Sequence, residues 1–478
     1  MPQTPLGEDV TPARAAAALT GARQHSYWTD WDYRGLPEPS LRAPLRPGAE
    51  RADLVIVGGG FTGLWAAIQA KEADPARSVV LLESGRVGEA ASGRNGGFVS
   101  PSLTHGLAQG LACWPEEIDT LERLGAENYA GWKASLTTYG IDCGFHEPGE
   151  LTIALTEHQV ERVREGYESA RAHGHEVELL DATQVRARVD SPRYLLAHRD
   201  PHIGLVDPGL LVRGLADAAE RLGVVVHEHS PVTAFETVGA GLRVTCGDAS
   251  IDAEGVILGT GAFRGPLKRL AIYTLPVYDH VLMTEPLTAE QLAAIGWAGR
   301  EGLTDAGNQF HYYRRTLDDR VLFGGYDANY HFPGRISPTL EQSASHDLLA
   351  RHLISIFPAL AEVRFTHRWA GVIDTTSRFT PIFGTAFGGR LAYAVGYTGL
   401  GVGSTRFGAA VALDLLAGVP TERTELAMVR ELPMPFPPEP IRYAVVRATR
   451  SALAAEDRTG RRGLWLKVLD LMGIGFDT

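Results

Sequence analysis

The chain has 478 residues and a formal net charge of −12, so nucleic acid is a poor candidate partner and we expect none. Hydrophobic residues make up 44% and charged residues 21%, a balance that excludes a disordered chain. Glycine is abundant, with 54 residues, but it shows no three-residue period, which excludes a collagen-like repeat. The three cysteines (Cys113, Cys143 and Cys246) lie far apart, so we predict neither a disulfide framework nor a metal site.

The first 50 residues are rich in proline and arginine and have no sustained periodicity, which predicts an arm lying over the body of the protein. This stretch lacks the apolar core of a signal peptide. The longest apolar helical stretch, Phe407–Val419, contains Asp414 and is too short to span a bilayer. We therefore expect a cytoplasmic location.

A βαβ unit follows the arm. Leu54–Val57 is a short apolar strand, Phe61–Ala73 has helical spacing, and Val79–Leu82 is a second apolar strand. Fully apolar strands are typical of a parallel sheet covered on both faces. The pattern therefore predicts a doubly covered α/β domain at the start of the fold.

The turn between the first strand and the helix carries a dinucleotide-binding motif. In VIVGGGFTG, Gly58, Gly60 and Gly63 match G-x-G-x-x-G, and Glu83 follows 20 residues after the last glycine. These glycines allow a tight turn, close approach of a pyrophosphate and close packing of helix on strand. Glu83 is suited to accept hydrogen bonds from ribose hydroxyls. The motif predicts a dinucleotide but leaves NAD and FAD open.

Three further glycine-rich segments are predicted to border the nucleotide. Gly88–Ser100 follows the second strand closely, Val256–Ala262 (VILGTGA) ends another strand, and GYTGLGVGS precedes a helix predicted over Thr405–Leu416. A helix N-terminus stabilises negative charge, and a reduced flavin is anionic whereas a reduced nicotinamide is not. The last segment therefore favours FAD.

The middle of the chain has a different strand pattern. From Tyr273 to Phe323 the sequence alternates apolar and polar residues, as in YDHVLMTEPL and FHYYRRTLDDRVLFGG. Two kinds of strand in one chain predict an α/β nucleotide domain interleaved with a mostly antiparallel α+β domain.

These blocks, taken in order over about Ser26 to Gly418, resemble the FAD-dependent D-amino-acid-oxidase-like enzymes. The similarity is strongest to their gamma-glutamylputrescine oxidoreductase-like amine oxidase branch, through VGEAASGRNGGFVS, RWAGVIDTTSRFTPIFG and YTGLGVGS. The resemblance implies a Rossmann-like FAD-binding domain of the DAO type and an antiparallel substrate domain. It also implies oxidation of a C–N bond in a small amine or amino acid.

The resemblance also implies a domain division and a set of cofactor contacts. The expected parts are an arm (1–50), a discontinuous FAD-binding domain (51–145, 205–272 and 366–425), a substrate-binding domain (146–204 and 273–365) and a C-terminal helical extension (426–478). The expected FAD contacts are Gly58, Gly60, Phe61, Thr62, Gly63, Glu83, Ser84, Arg86, Ala91, Ser92, Arg94, Asn95, Gly96, Val232, Thr260, Gly261, Thr398, Gly399, Leu400, Gly401 and Val402.

The sequence departs from this family at two places. Relatives often carry a histidine where this chain has Leu400, and the departure leaves the substrate open. Covalently flavinylated relatives use a histidine or a cysteine, but Arg94 occupies the first position and Trp369–Pro381 contains no cysteine. We therefore predict non-covalent FAD.

Five side chains are candidates for contact with the substrate. In NQFHYYRRT, the candidates His311 and Tyr313 share one face of a strand while Tyr312 and Arg314 share the other, and one face is expected to look into the pocket. A satisfied core or interface strand is the alternative for this segment. In RWAGVIDTTSRFTP, Arg378 is suited to bind a carboxylate and Asp374 an ammonium group, beside Trp369. A structural ion pair is the alternative for that second segment.

The predicted reaction moves a hydride equivalent from the carbon that bears nitrogen to the flavin, with O2 or an electron carrier as the final acceptor. The imine product would hydrolyse to a carbonyl compound. Two alternatives stay open at this point: an NAD-dependent dehydrogenase and a non-catalytic FAD-binding subunit of a larger complex. The tail from Ile441 to Phe476 predicts two amphipathic helices, which we expect to pack on the body rather than contact a membrane.

Overall fold

The computed structural model describes residues 5–263 and 265–471. Its helices are α1 Pro12–Ala18, α2 Phe61–Ala73, α3 Leu107–Cys113, α4 Ile118–Tyr139, α5 Glu157–Ala172, α6 Ala182–Arg188, α7 Pro208–Arg221, α8 Ala289–Ile295, α9 Ser345–Ile356, α10 Gly401–Ala417, α11 Glu422–Glu425, α12 Ala427–Arg430, α13 Ile441–Thr459 and α14 Leu464–Leu471. Its strands are β1 Arg23–Gln24, β2 Gly48–Val57, β3 Val79–Leu82, β4 Phe98–Val99, β5 Glu150–Ala154, β6 Glu178–Asp181, β7 Leu196–Asp200, β8 Gly204–Leu205, β9 Val225–His227, β10 Ala234–Val238, β11 Gly241–Cys246, β12 Ala249–Leu258, β13 Leu275–Thr284, β14 Gly302–Asp305, β15 His311–Arg315, β16 Val321–Gly325, β17 Asn329–Tyr330, β18 Phe365–Thr375, β19 Ile382–Ala386 and β20 Leu391–Val395.

The smaller of the two main sheets is the predicted α/β unit. Its parallel strands run in the order β20-β12-β2-β3-β9. Two antiparallel additions flank them: the β10–β11 hairpin pairs with β12 through β11, and β19 pairs with β20. Helix α2 packs against α7 and α10. It is apolar on nearly all sides because it lies between the sheet and these two helices, with Leu64 and Trp65 fully buried.

The larger sheet is mostly antiparallel and runs in the order β1-β18-β13-β16-β15-β14-β5-β7-β6, with β17 beside β13. A separate core lies against it, built around Tyr194, Trp297, Tyr313 and Phe357. The predicted fold class is therefore confirmed: a Rossmann-like parallel domain is interleaved with an antiparallel-sheet domain.

The N-terminal residues form more structure than an irregular arm. Helix α1 packs against α9, and β1 joins the larger sheet by pairing with β18. Thr11 caps α1 and Pro12 begins it, both of which favour a helix start. A seven-residue helix is too short to show a clear period, and for that reason the sequence pattern missed it.

The position of β18 moves one predicted domain boundary. This strand pairs with β13 along almost its whole length, from Phe365 to Thr375, so it belongs to the larger sheet. The crossing back to the smaller sheet therefore follows Thr375 rather than preceding residue 366. Helix α10 also starts earlier than predicted, at Gly401 rather than Thr405, so the last glycine segment runs directly into its first turn.

Three helices, α12, α13 and α14, lie in the described part of the C-terminal extension, and residues 472–478 of that predicted segment lie outside the described residues. None of the helices within 5–263 and 265–471 combines the length and the apolar character that a bilayer crossing requires.

Candidate cofactor and substrate site

A single continuous cavity of about 2150 Å³ lies between the two sheets, at the carboxyl ends of β2, β3 and β12. Ligand sites usually measure about 300–1,000 Å³, so this cavity has room for a dinucleotide together with a second molecule. All of the predicted cofactor contacts line it except Gly63 and Arg86. Ligands bind at this edge of open α/β sheets.

The turn from β2 into α2 is built so that only glycine fits. Gly58 has φ +111°, and a Cβ there would lie 2.5 Å from the carbonyl oxygen of Gly259. A Cβ on Gly63 would lie 1.9 Å from the carbonyl oxygen of Gly58. The tight packing brings the start of α2, at Gly60 and Phe61, to the cavity wall, where a pyrophosphate would meet the helix N-terminus.

The carboxylate of Glu83 sits at the end of β3 and is held by the backbone. One oxygen accepts from the N–H of Gly59 at 2.7 Å, and the other accepts from the N–H of Gly85 at 2.8 Å and the hydroxyl of Ser84 at 3.0 Å. Glu83 and Ser84 both line the cavity. This position suits an acceptor for ribose hydroxyls.

The loop after β3 is fixed through the carbonyl oxygens of three successive residues. Ser26 Oγ donates to Gly93 at 2.8 Å, Trp369 Nε1 to Arg94 at 2.8 Å, and Trp28 Nε1 to Asn95 at 2.9 Å. The three donors lie behind the loop, whereas Arg94 and Asn95 line the cavity. The N-terminal segment and β18 thus hold this loop from outside.

The guanidinium of Arg94 is already committed to protein partners. It forms an ion pair with Glu341 at 2.8 Å and donates to the carbonyl oxygens of Glu89 at 2.7 Å and Ala370 at 3.1 Å. Arg94, an expected FAD contact, therefore already has a counter-ion in Glu341. Arg94 links the loop to β18 as well as facing the cavity.

The last glycine segment forms a turn braced by Asp374. The side chain of Asp374 accepts from the N–H of Gly396, and its carbonyl oxygen accepts from the N–H of Thr398 at 3.3 Å. Burial raises the pKa of Asp374 to about 6. Leu400 makes no side-chain cap for α10, so the first turn of that helix presents its N–H groups beside Gly399, on the cavity wall.

These elements fit FAD. A glycine-built helix start, an acidic residue at the end of the next strand, a braced loop and a second helix N-terminus all border one cavity. A histidine that the sequence reading missed, His105, also lies here, with Nε2 2.6 Å from the carbonyl oxygen of Thr398. It comes from a different segment than Leu400, and burial lowers its pKa.

The wall opposite the cofactor turns carries a carboxylate–phenol pair. The hydroxyl of Tyr312 on β15 donates to Asp279 on β13, and both line the cavity. The Tyr312 ring packs on the loop after β3 (Gly88–Ser100, called the cofactor loop below). A Cβ placed on Gly96 of this loop would lie 2.7 Å from Cε2 of Tyr312. Burial raises the pKa of Asp279 to about 6, opposed by hydrogen bonds from Tyr312 and the backbone of Gly325.

His311 and Tyr313 lie on the opposite face of β15, away from the cavity. Both ring nitrogens of His311 are hydrogen-bonded, to Asp305 and His352, and the Tyr313 hydroxyl lies 3.0 Å from that of Tyr194. Both side chains are buried in the core. The expectation that this face looks into the pocket was wrong, because the apolar residues of β16 and α9 cover it.

The second predicted segment also has mainly structural partners. Arg378 donates to the hydroxyl of Thr380 at 3.1 Å and to the carbonyl oxygen of Met428 at 3.1 Å, and it does not line the cavity. Trp369 is fully buried and holds the cofactor loop, as described above. Asp374 alone of the five predicted side chains borders the cavity, where it braces the last glycine turn.

Comparison with known proteins agrees with this architecture. The model of the family described as FAD dependent oxidoreductase (DAO) matches residues 53–415. Gamma-glutamylputrescine oxidoreductase of Escherichia coli is 32% identical over 390 residues, which cover 80% of this chain and 88% of that protein. The probable oxidoreductase OrdL of Rhizobium meliloti is 27% identical over 90% of this chain and 97% of its own length. The crystal structure of glycine oxidase from Geobacillus kaustophilus superposes with a TM-score of 0.65 at 21% identity, covering 78% of this chain and 96% of that one.

The fold and the cavity thus define a two-domain flavoprotein oxidoreductase. The chain belongs to the DAO family of FAD-dependent oxidoreductases. Its cofactor is FAD, which overturns the NAD-dependent alternative.

Proposed function

We propose that this enzyme oxidises a C–N bond of a small amine or amino acid, and that Asp279 binds the reacting nitrogen. The observation that carries the proposal is a carboxylate without a cationic partner. Asp279 lines the cavity, its hydrogen-bond partners are Tyr312 and the backbone of Gly325, and none of the described cations contributes to its pKa. A buried carboxylate without a counter-ion is costly, and an ammonium substrate would supply one.

The position of Asp279 suits the chemistry. Tyr312, its hydrogen-bond donor, packs on Gly96 of the cofactor loop, so a nitrogen bound to the carboxylate would lie close to that loop. A neutral alcohol or hydroxy acid would leave the carboxylate unpaired. A cationic amine is therefore the substrate that the charge distribution favours.

Bound FAD supplies the acceptor for the hydride equivalent that leaves the carbon next to nitrogen. The chain itself has to deliver the amine with a free lone pair, because an ammonium group cannot assist that departure. The carboxylate form of Asp279 would hold the ammonium group and take up its proton, while Tyr312 keeps the carboxylate in place. The imine product would then hydrolyse to a carbonyl compound.

The names of the relatives support an amine substrate without fixing which one. Gamma-glutamylputrescine oxidoreductase and glycine oxidase are both named for substrates that contain an amino group. We infer that the substrate is a gamma-glutamylputrescine-like or polyamine-like amine, or a D- or N-methyl amino acid. O2 or an electron carrier is the proposed acceptor, and we propose that the FAD is held non-covalently.

Anaerobic mixing tests the proposal. The purified flavoprotein is mixed without oxygen with polyamines, γ-glutamylated amines, D- and L-amino acids and N-methyl amino acids, and the flavin absorbance is followed. Bleaching by at least one amine is expected. Bleaching by hydroxy acids or sugars alone would refute the C–N assignment, and failure of every compound would favour a non-catalytic FAD-binding subunit. Readmission of air then separates an oxidase, which produces hydrogen peroxide, from a dehydrogenase.

A further inference from the structure

The C-terminal strap, which we define as residues 432–471, follows the part of the chain that matches the family. One face of its helix α13 lines the cavity. The residues on that face are Ile441, Arg442, Val445, Val446, Thr449, Arg450 and Leu453. Their spacing of one, three and four residues describes a single helical stripe.

Near its start, the strap is attached to the segments that follow β18 and precede β13. The hydroxyl of Ser377 donates to the carbonyl oxygen of Met434 at 2.6 Å, and the N–H of Phe436 donates to the carbonyl oxygen of Ile272 at 2.7 Å. Met434 and Phe436 both line the cavity. The segment before α13 is thus fixed beside the residues that follow β18.

The far end of α13 is attached to the larger sheet. The Asp457 carboxylate accepts from the backbone N–H groups of Asn308 and Gln309, at 2.8 Å each. Nearer the middle of the helix, Arg450 pairs with Asp327 at 3.3 Å and also donates to Asn329. The strap is therefore held at both ends, by the segments next to β13 and β18 and by the loop between β14 and β15, while α13 lines the cavity between them.

The wall that the strap contributes is largely apolar. Val445, Val446 and Leu453 come from α13, and Trp465 and Leu469 of α14 extend the surface. The indole N–H of Trp465 donates to Thr449 at 3.0 Å, which holds the two helices together. A polar anchor for nitrogen on the sheet and an apolar wall on the strap suit an amine with a hydrocarbon body.

We propose that the C-terminal strap is a specificity-determining wall of the substrate cavity. The strap selects the length and apolar character of the amine. The two hydrogen bonds that Asp457 accepts from Asn308 and Gln309, called the Asp457 clasp below, hold the strap over the cavity. The choice of an amine rests on the proposed function, whereas the closure of the cavity by the strap does not.

The first experiment changes the shape of the wall. Val446→Trp places a large side chain on the cavity face of α13, and Ala448→Trp places the same side chain on its exposed face as a matched control. We expect Val446→Trp to lower kcat/KM about tenfold for long primary amines such as octylamine, and to change it far less for propylamine. The control should keep the wild-type profile of rate against chain length. An unchanged profile in Val446→Trp would overturn the proposal.

The second experiment needs no substrate. Asp457→Ala removes the clasp, and Asp457→Asn serves as a milder variant if the first folds poorly. Asp470→Ala is the control, because Asp470 pairs with Arg462 within the strap itself. Acrylamide quenching of the bound flavin's fluorescence is expected to rise about twofold in the clasp variants and not in the control, since local opening exposes the cavity.

Equal quenching in all proteins would overturn the strap as a cover. If no amine reduces the wild-type flavin, the proposed function fails, yet the quenching experiment still decides whether the strap closes the cavity. The two failures are therefore distinguishable.

Discussion

The two walls of the cavity are built in different ways. The cofactor wall consists mainly of backbone: glycine turns, carbonyl oxygens held from behind, and two helix starts near Gly60 and Gly401. The proposed substrate wall consists of side chains on strands and on the C-terminal strap, among which Tyr312 donates a hydrogen bond to Asp279. Backbone sites need glycine at fixed spacing, which a sequence displays, whereas side-chain sites depend on which face of a strand is covered.

The largest effect is expected at the cofactor wall. Glu83→Arg removes the acceptor held by Gly59 and Gly85 and puts a positive charge at the ribose position. We expect FAD affinity to fall about a hundredfold or more, because hydrogen bonds to charged groups are lost. The flavin-to-protein absorbance ratio measures this. Glu236→Arg, on the exposed β10, should retain full flavin, and full occupancy in Glu83→Arg would contradict the ribose assignment.

At the substrate wall, Asp279→Asn should lower kcat/KM for the best amine about a hundredfold, because the nitrogen loses its anionic partner and proton acceptor. Flavin content should stay at the wild-type level, which separates this effect from that of Glu83→Arg. Steady-state kinetics with a matched flavin titration provide the measurement. A loss of flavin, or a change below twofold, would count against the assignment.

The two faces of β15 offer a sharper comparison. Tyr312→Phe should lower the rate of flavin reduction about tenfold, because Asp279 loses its hydrogen bond. Tyr313→Phe removes the hydrogen bond to Tyr194 in the core, so it should reduce the free energy of unfolding by about 1 kcal/mol and leave the reduction rate alone. Rapid mixing and urea unfolding of both variants test this. The reverse pattern would indicate that the face of β15 with His311 and Tyr313, rather than the face with Tyr312, contacts the substrate.

This pair shows why the substrate wall could not be predicted. Alternation in HYYRR places Tyr312 and Tyr313 on opposite faces, but both are tyrosines and both faces are largely covered. Nothing in the local pattern tells which face meets the cavity; that depends on long-range packing of α9 on one side and the cofactor loop on the other. Arg378 was misjudged for a related reason, since Met428, its partner, lies 50 residues away.

The glycine turns and part of the helix and strand bounds around them followed from the sequence, because they depend on local chemistry, although β2 and α10 begin earlier than predicted. Phe61–Ala73 and Val79–Leu82 were predicted with the bounds that the structure has. The role of the N-terminal segment was missed, because the bonds from Ser26 and Trp28 to the cofactor loop span 67 residues.

A smaller effect is expected behind the cofactor loop. Trp28→Phe removes the donor to the carbonyl oxygen of Asn95 and should weaken FAD binding about fivefold, or by roughly 1 kcal/mol. Trp31→Phe changes the same residue type in the same segment without touching that loop bond, and should leave affinity near the wild-type value. Flavin release on dilution, followed by fluorescence, compares them. Equal affinities would show that the loop holds its shape without Trp28.

The most direct test of the central claim is the pH dependence of flavin reduction under anaerobic conditions, compared between the wild type and Asp279→Asn. Because burial raises the pKa of Asp279 to about 6, its carboxylate should be present above that pH and lost below it. The wild-type rate constant should therefore rise with pH through about 6, and this rise should be absent from the variant. Burial also raises the pKa of Asp374 to about 6, so a rise that survives in Asp279→Asn would point to that residue and contradict the account.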